Sequence, residues 1–199
     1  DPALVHRPEE TAINSEVQDV KVITETEEVN QAVLYLGYRA GITAKDPLYY
    51  GAMMANGILG GFPHSKLFVN VREKASLAYY ASSRFDGSKG TLFLTAGISP
   101  KNYQKTVDIM QEQVTALQHG DISDYELDAT RKGLTNWLTS VQDSAGAAID
   151  RALVSVVQGQ DDSVEETIHK LHQVTKDDVV AAASQFKLDT IYCLTAQDR

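Results

Sequence analysis

Hydrophobic positions in this chain recur first with the period of strands and then, over most of its length, with the period of helices. Residues 29–40 alternate apolar side chains between two faces, which predicts a strand at least partly covered on both sides. Residues 20–25 alternate more weakly and predict a short edge strand. Residues 77–85 and 91–99 flank the polar loop DGSKG at 86–90, which predicts an antiparallel hairpin.

Helical periodicity accounts for most of the remaining chain. Asp46 followed by Pro47 is a typical helix start, and Ser123 with Glu126 has the spacing of a capping box. Thr175 is expected to cap a late helix. The predicted helices span residues 48–59, 65–74, 101–118, 123–139, 145–158, 164–172 and 176–186, and a last strand follows at 190–196.

This order of elements defines a fold class. Strands return as a hairpin and not as serial crossovers, so the chain is predicted to be α+β, with a mixed, mainly antiparallel sheet and helices packed on one face. Residues 1–19 are polar, hold two prolines and lack periodicity, which indicates a linker or arm. Residues 20–199 are predicted to form a single domain.

Three aromatic residues are expected to have packing roles. Trp137 lies among apolar residues at helical spacing and is predicted to be core. Tyr35 and Tyr80 occur in predicted strands and are predicted to pack in the sheet.

Composition excludes several classes of partner. The formal net charge of −9 argues against nucleic acid and anionic membranes. No run of 18 apolar residues exists and no signal-peptide pattern is present, so no membrane span and a cytoplasmic location are expected. Cys193 is the only cysteine and is predicted to be a buried, inert thiol. The sequence does not start with methionine, so it can be a piece of a longer protein.

The stretch 56–80 concentrates the features that suggest a function. Gly60-Gly61 is expected to end one helix through glycine's unusual backbone angles, and Ser65 is expected to cap the next. Arg72 then falls near the end of that helix and Tyr79 at the start of a strand. Both side chains would therefore be held on rigid elements joined by a tight turn.

This stretch resembles the C-terminal half of insulinase-type zinc peptidases, the superfamily of pitrilysin and the mitochondrial processing peptidase. Those proteins carry patterns close to Leu-Gly-Gly, Ser-Arg-Leu-Phe, Leu-Arg-Glu and Gly-Leu-Ala-Tyr. The family usually has glycine where Ser76 stands, so the turn into the strand can differ. The matching residues are Leu59-Gly60-Gly61, Ser65-Lys66-Leu67-Phe68, Val71-Arg72-Glu73 and Ser76-Leu77-Ala78-Tyr79.

The resemblance implies a LuxS/MPP-like metallohydrolase fold and a role as the zinc-free C-terminal domain. It further implies that Arg72 and Tyr79 contact the backbone of a peptide substrate across a shared chamber. The partner would be an N-terminal zinc-bearing domain or a homologous subunit, and the zinc would belong to that partner.

The chain itself lacks the family's zinc motif, His-x-x-Glu-His. His169 and His172 are three residues apart but have no suitably placed glutamate, so solvated helix residues are the preferred interpretation. His64 is expected in an exposed loop, where a plain loop residue is favoured over a ligand contact. No catalytic residue and no cofactor are therefore predicted in this chain, and alone it is predicted not to hydrolyse peptides.

Two alternatives remain open at this point. The chain can belong to a non-catalytic superfamily member that acts as a structural or peptide-binding partner subunit, and a homodimer is compatible with the sequence. Independently of the resemblance, it can be a helix-covered sheet that binds a partner through an exposed strand edge.

Overall fold

The computed structural model describes residue 13 and residues 15–160 and 162–196. Most of the predicted arm at 1–19 lies outside these described residues. The strands are β1 (Lys21–Glu27), β2 (Ala32–Arg39), β3 (Ala78–Asp86), β4 (Thr91–Ile98) and β5 (Lys187–Ala196). The α-helices are α1 (Tyr49–Asn56), α2 (Tyr103–Gln118), α3 (Asp124–Gln142), α4 (Ala145–Gln158), α5 (Val164–Gln173) and α6 (Lys176–Ala183). Shorter helical segments are π-helical at Gly57–Gly61 and Phe68–Lys74 and 3₁₀ at Pro100–Asn102.

Five strands form one mixed sheet in the order β1-β5-β2-β4-β3. β1 runs parallel to β5, and the other neighbouring pairs are antiparallel. The predicted α+β class, the hairpin β3–β4 and the edge position of β1 are confirmed. β3 forms the opposite edge, which places the start of this strand, with Tyr79, at the border of the sheet.

The core lies between one face of the sheet and the helices. β2 alternates strictly, with Ala32, Leu34, Leu36 and Tyr38 buried against the helices. The helix α2 buries one stripe of apolar residues against the core, namely Val107, Met110, Val114 and Leu117. Cys193 is buried on β5, as predicted. Within the described residues, no helix is both long and apolar enough to cross a membrane.

The other face of the sheet is largely uncovered, and the two tyrosines predicted to pack in the sheet lie on this face, Tyr35 beside Tyr192 and Tyr80 over Gly97. Tyr35 and Tyr80 are each 42% exposed, and Phe93 on β4 is 43% exposed. Tyr35 contacts Tyr192 on the open face, with ring centroids 6.4 Å apart. Because strand side chains alternate, a regular apolar run does not reveal which of its faces lacks a covering layer.

Trp137 is not a core residue. It lies on α3 and is 53% exposed, whereas its neighbours Leu138 and Val141 are buried. The apolar stripe of α3 is narrower than the run of large side chains suggested, and Trp137 falls at its margin.

Ser123 and Thr175 cap helices as predicted, whereas Asp46 and Ser65 do not. The N-cap of α1 is Leu48, and Asp46 Oδ1 accepts a hydrogen bond from the Leu48 amide at 2.8 Å. The capping box of Ser123 and Glu126 begins α3, and that of Thr175 and Asp178 begins α6. The predicted cap at Ser65 is wrong: its Oγ is buried and has no hydrogen-bond partner among the described residues.

The double glycine has a different role from the expected one. Gly60 does not adopt a positive φ; instead, a Cβ there would lie 2.3 Å from the backbone nitrogen of Ser83 on β3. Glycine is required because the helical segment touches the backbone of the edge strand. The helix itself ends at Phe62, whose backbone is extended.

Candidate functional site

Arg72 and Tyr79 line one surface depression of about 410 Å³ at the start of β3. We call it the Arg72–Tyr79 depression. The two predicted side chains are thus brought together on one side of the molecule. Its lining residues are Arg72, Ser76, Leu77, Ala78, Tyr79, Ser99 and Asn102.

Arg72 is mounted on the π-helical segment Phe68–Lys74. The amide of Ala75 donates to the carbonyl of Asn70 at 3.2 Å, the wider spacing that defines this helix type. The Arg72 Cζ lies 4.6 Å from the centre of the Phe68 ring, so a cation–π contact orients the guanidinium. Because π-helical turns occur often at functional sites, this irregular segment agrees with a functional arginine.

Tyr79 is the extra residue of a β-bulge. Ala78 pairs with Ile98 and Tyr80 pairs with Gly97, so one residue of β3 has no opposite partner on β4. The bulge turns Tyr79 outward, and its side chain is 70% exposed. Bulges re-aim side chains beside active sites, but their position is not visible in an apolar–polar pattern. The sequence therefore pointed to Tyr79 but did not predict the β-bulge that orients its side chain.

The turn between these two elements is strained at a single residue. Ser76 has a φ of 51°, in the left-handed region that favours glycine. Ser76 thus adopts a backbone conformation that suits glycine, the residue that the insulinase-type family usually has at this position. The side-chain amide of Asn102 donates to the carbonyl of Leu77 at 3.2 Å and fixes the exit from the turn.

At the other end of the helical stretch that carries Arg72, a buried ion pair joins Lys66 to α3. Lys66 Nζ lies 2.9 Å from Glu126 Oε1, and only 7% and 17% of the two side chains is exposed. Burial raises the pKa of the Glu126 carboxyl, but hydrogen bonds from Ser123 and Lys66 outweigh it and leave this pKa below its ordinary value. The capping box was evident in the sequence, whereas its buried lysine partner was not.

The hydrogen-bond donors of Arg72 and Tyr79 are not engaged within the part of the chain that the structure describes, apart from the cation–π contact of Arg72 with Phe68. Among residues 15–160 and 162–196, no hydrogen bond or ion pair engages the Arg72 guanidinium or the Tyr79 hydroxyl. Both groups are donors, and they border the same depression. The arrangement can therefore donate hydrogen bonds to an external acceptor such as a carbonyl oxygen.

Among the described residues, His64, His169 and His172 each contact a different partner and form no metal-binding group. His64 is half-buried, stacks on Phe62 with centroids 5.3 Å apart, and contacts Thr130 Oγ1 at 3.0 Å. Burial lowers its pKa, partly opposed by the charge of Glu126. His64 is thus a packing residue more than the exposed loop residue expected. His172 contacts Thr135, and His169 contacts Gln173.

Zinc does not fit the donor set of the described residues. They contain no group of three or more His, Cys, Asp or Glu side chains that could hold a metal ion. On α1, Tyr49, Met53 and Asn56 line a groove beside α3, and none of the three is a typical zinc ligand.

The fold is that of known peptidase domains. A conserved protein of Enterococcus faecalis V583 superimposes with a TM-score of 0.85 at 32% identity, over 92% of this chain and 44% of that one. A peptidase M16 inactive domain from Pseudomonas fluorescens shares the fold, with a TM-score of 0.73 at 20% identity, over 90% of this chain and 44% of that one.

The family follows from the sequence comparisons. The family model described as Peptidase M16 inactive domain matches residues 5–134, so this chain belongs to that family. The Bacillus subtilis protein named "Probable inactive metalloprotease YmfF" is 39% identical over 181 residues, 91% of this chain and 42% of that protein. The B. subtilis "Uncharacterized zinc protease YmxG" is 28% identical over 82% of this chain and 40% of its own length. The chain thus spans about two-fifths of these relatives.

Proposed function

We propose that this chain is the substrate-holding, zinc-free half of an M16-type zinc peptidase. It completes a peptide-binding chamber together with a zinc-bearing half, and Arg72 and Tyr79 contact the backbone of the bound peptide. The observation that carries this proposal is the shared depression in which both side chains present donors without internal partners.

The chemistry of the two groups suits a peptide backbone. Every peptide unit offers a carbonyl oxygen, so donors that bind it work with many side-chain sequences. A donor aimed at the negative charge that develops on a carbonyl during cleavage contributes about 2–4 kcal/mol in a closed site. The cation–π contact with Phe68 and the bulge at Tyr79 hold both groups in place before substrate arrives.

The zinc belongs to the other half in this proposal. The relatives YmxG and YmfF are more than twice as long as the part matched here, which leaves room for a second domain of similar size. This chain would bind and orient the peptide, and it supplies no metal ligand.

Turnover by the full-length protein tests the proposal. Arg72→Ala and Tyr79→Phe should lower kcat/KM for a quenched fluorescent peptide about 10- to 1000-fold without unfolding the protein. Arg84→Ala and Tyr125→Phe are matched controls, because Arg84 is an exposed arginine on β3 and Tyr125 is 70% exposed, like Tyr79. Full activity of both test variants would refute the assigned roles.

A second candidate function is favoured by one relative. The 39% identical YmfF is named as an inactive metalloprotease, so the full-length protein can be a peptide-binding partner without hydrolytic activity. Such a protein would show no chelator-sensitive cleavage, yet Arg72→Ala would still weaken peptide binding. Cleavage that stops on chelation and returns with zinc would exclude this alternative.

A further inference from the structure

The helix α4 packs with its polar side toward the domain and its apolar side toward solvent. None of its residues is buried. The stripe nearest the domain is half-buried and mainly polar, consisting of Ala147, Arg151, Ser155 and Gln158. The opposite side carries large apolar residues that are 62–78% exposed, namely Ile149, Leu153, Val156 and Val157. We call these four residues the α4 face.

Hydrogen bonds hold the helix in this orientation. Arg151 Nη2 donates to the carbonyl of Asp162 at 3.0 Å and to Thr167 Oγ1 at 3.1 Å. Gln158 Nε2 donates to Ser88 Oγ at 3.0 Å. Rotating α4 to bury its apolar residues would break these contacts and place Arg151 in solvent. The outward direction of the α4 face is therefore set by the packing of the polar side.

The α4 face is continuous. Its residues follow the i, i+4, i+7, i+8 spacing that places side chains on one side of a helix. Helices on protein surfaces normally show the reverse polarity, and contiguous exposed apolar patches mark interaction surfaces. The domain buries its other helices by their apolar sides, so α4 is built to be covered by something outside the domain.

The length of the relatives indicates what covers it. Solved structures that match 92%, 88% and 90% of this chain each extend to more than twice the matched length, since the match is 44% of each. A second half on the same polypeptide is present at high effective concentration, so even a small apolar contact suffices to dock it.

A second copy of the domain fits less well. Four side chains of a single helix provide far less than the roughly 800 Å² per partner that stable complexes between separate chains bury. Two copies would also each carry a formal charge of −9, which opposes association.

We infer that the α4 face is the docking surface for the other half of the same polypeptide. The inference shares with the proposed function the premise of a second half, but it does not depend on Arg72, Tyr79 or catalysis. A failure here would leave the peptide-contact roles untouched, and the reverse also holds.

Thiol labelling of the full-length protein tests this. Leu153→Cys and, independently, Ile149→Cys are treated with a maleimide, and the labelling rate is compared with that of the same protein unfolded in urea. We expect labelling at least about tenfold slower in the folded protein, at any protein concentration, because the site is covered within one molecule.

Two results would overturn the inference. Labelling as fast as in urea would show that the α4 face is open to solvent. Protection that appears only at concentrations where the molecular mass doubles would show that a second copy covers it. The parent protein, in which Cys193 is buried, provides the background rate.

Discussion

The Arg72–Tyr79 depression and the α4 face are both exposed surfaces without a partner inside the domain, yet they differ in how the elements that carry them are packed. The depression presents polar donors, and the elements that carry them are closely packed, β3 against Gly60 and the start of the Arg72 helical stretch through the buried Lys66–Glu126 pair. The α4 face presents apolar side chains on a helix that has no buried residue and is oriented by the polar contacts of Arg151 and Gln158.

The difference separates two kinds of partner. Preorganised donors on a rigid support suit a ligand whose carbonyl groups must be positioned accurately. An apolar stripe on a peripheral helix suits a protein surface, where water exclusion provides the stabilisation. The same comparison predicts that substitutions at the packed positions Gly60 and Lys66 destabilise the chain far more than substitutions on the α4 face.

The largest effect is expected at Gly60, where a helical segment touches the backbone of β3. Gly60→Ala places a Cβ against the backbone of Ser82 and Ser83, which cannot give way as a side chain can. We expect a loss of about 3 kcal/mol in the free energy of unfolding, measured by urea denaturation. Gly61→Ala is the control, because its nearest neighbour would lie at 3.4 Å. Equal stability of the two variants would contradict the close-contact explanation.

The buried ion pair gives the next largest effect. Lys66→Met removes the cation and leaves the Glu126 carboxylate buried without it, which should cost about 1–3 kcal/mol of unfolding free energy. Lys74→Met, at an exposed lysine on the same helical region, should change stability by less than about 0.5 kcal/mol. If both substitutions leave the unfolding free energy unchanged, the Lys66–Glu126 pair does not stabilise the folded chain.

Acid should act on the same pair with a smaller effect. The folded pKa of Glu126 lies below its ordinary value of 4.5, so its contribution is present above pH 4.5 and is lost as pH falls through the folded pKa. As pH is lowered from 5, the thermal unfolding midpoint of the parent protein should therefore fall more than that of the Glu126→Gln variant. Parallel pH profiles in thermal unfolding would argue against a lowered pKa.

A gain of stability is expected at the turn. Ser76→Gly removes the cost of a left-handed serine, about 1 kcal/mol, and should raise the urea midpoint. Ser76→Ala, which keeps the Cβ, should show no such gain. A destabilised glycine variant would mean that the Ser76 side chain, and not the backbone angle, stabilises the turn.

The smallest effect is expected on the α4 face. Leu153→Ser should change the unfolding free energy of this chain by less than about 0.5 kcal/mol, because Leu153 is already exposed. Leu138→Ala, at a buried leucine on α3, should cost about 2–5 kcal/mol. A large loss at Leu153 would show that the face is packed within the domain itself.

The helices, the strands and their order could be predicted from the sequence, because short local patterns determine them. Capping residues and periodicity located α4 and the start of α3, and turn residues located the hairpin. The motif from Leu59 to Tyr79 pointed to Arg72 and Tyr79, and both of these residues line the same depression.

Features that depend on distant packing were not predictable. Three features each depend on contact with a segment elsewhere in the sequence. The bulge at Tyr79 depends on pairing with β4, Gly60 contacts Ser83 on β3, and Lys66 pairs with Glu126 on α3. Trp137 was misplaced for the same reason, since its exposure depends on how α3 is rotated against its neighbours. The outward apolar side of α4 was also invisible, because periodicity gives a helix's two sides but not which one faces the domain.

Direct peptide binding tests the central claim, that Arg72 and Tyr79 hold a peptide backbone. Full-length protein carrying Arg72→Ala with Tyr79→Phe is titrated against an extended fluorescent peptide selected for binding to the parent, and the anisotropy gives Kd. The account predicts a Kd raised at least about tenfold, against less than about twofold for Arg84→Ala with Tyr125→Phe. Equal Kd values for the two double variants would contradict it.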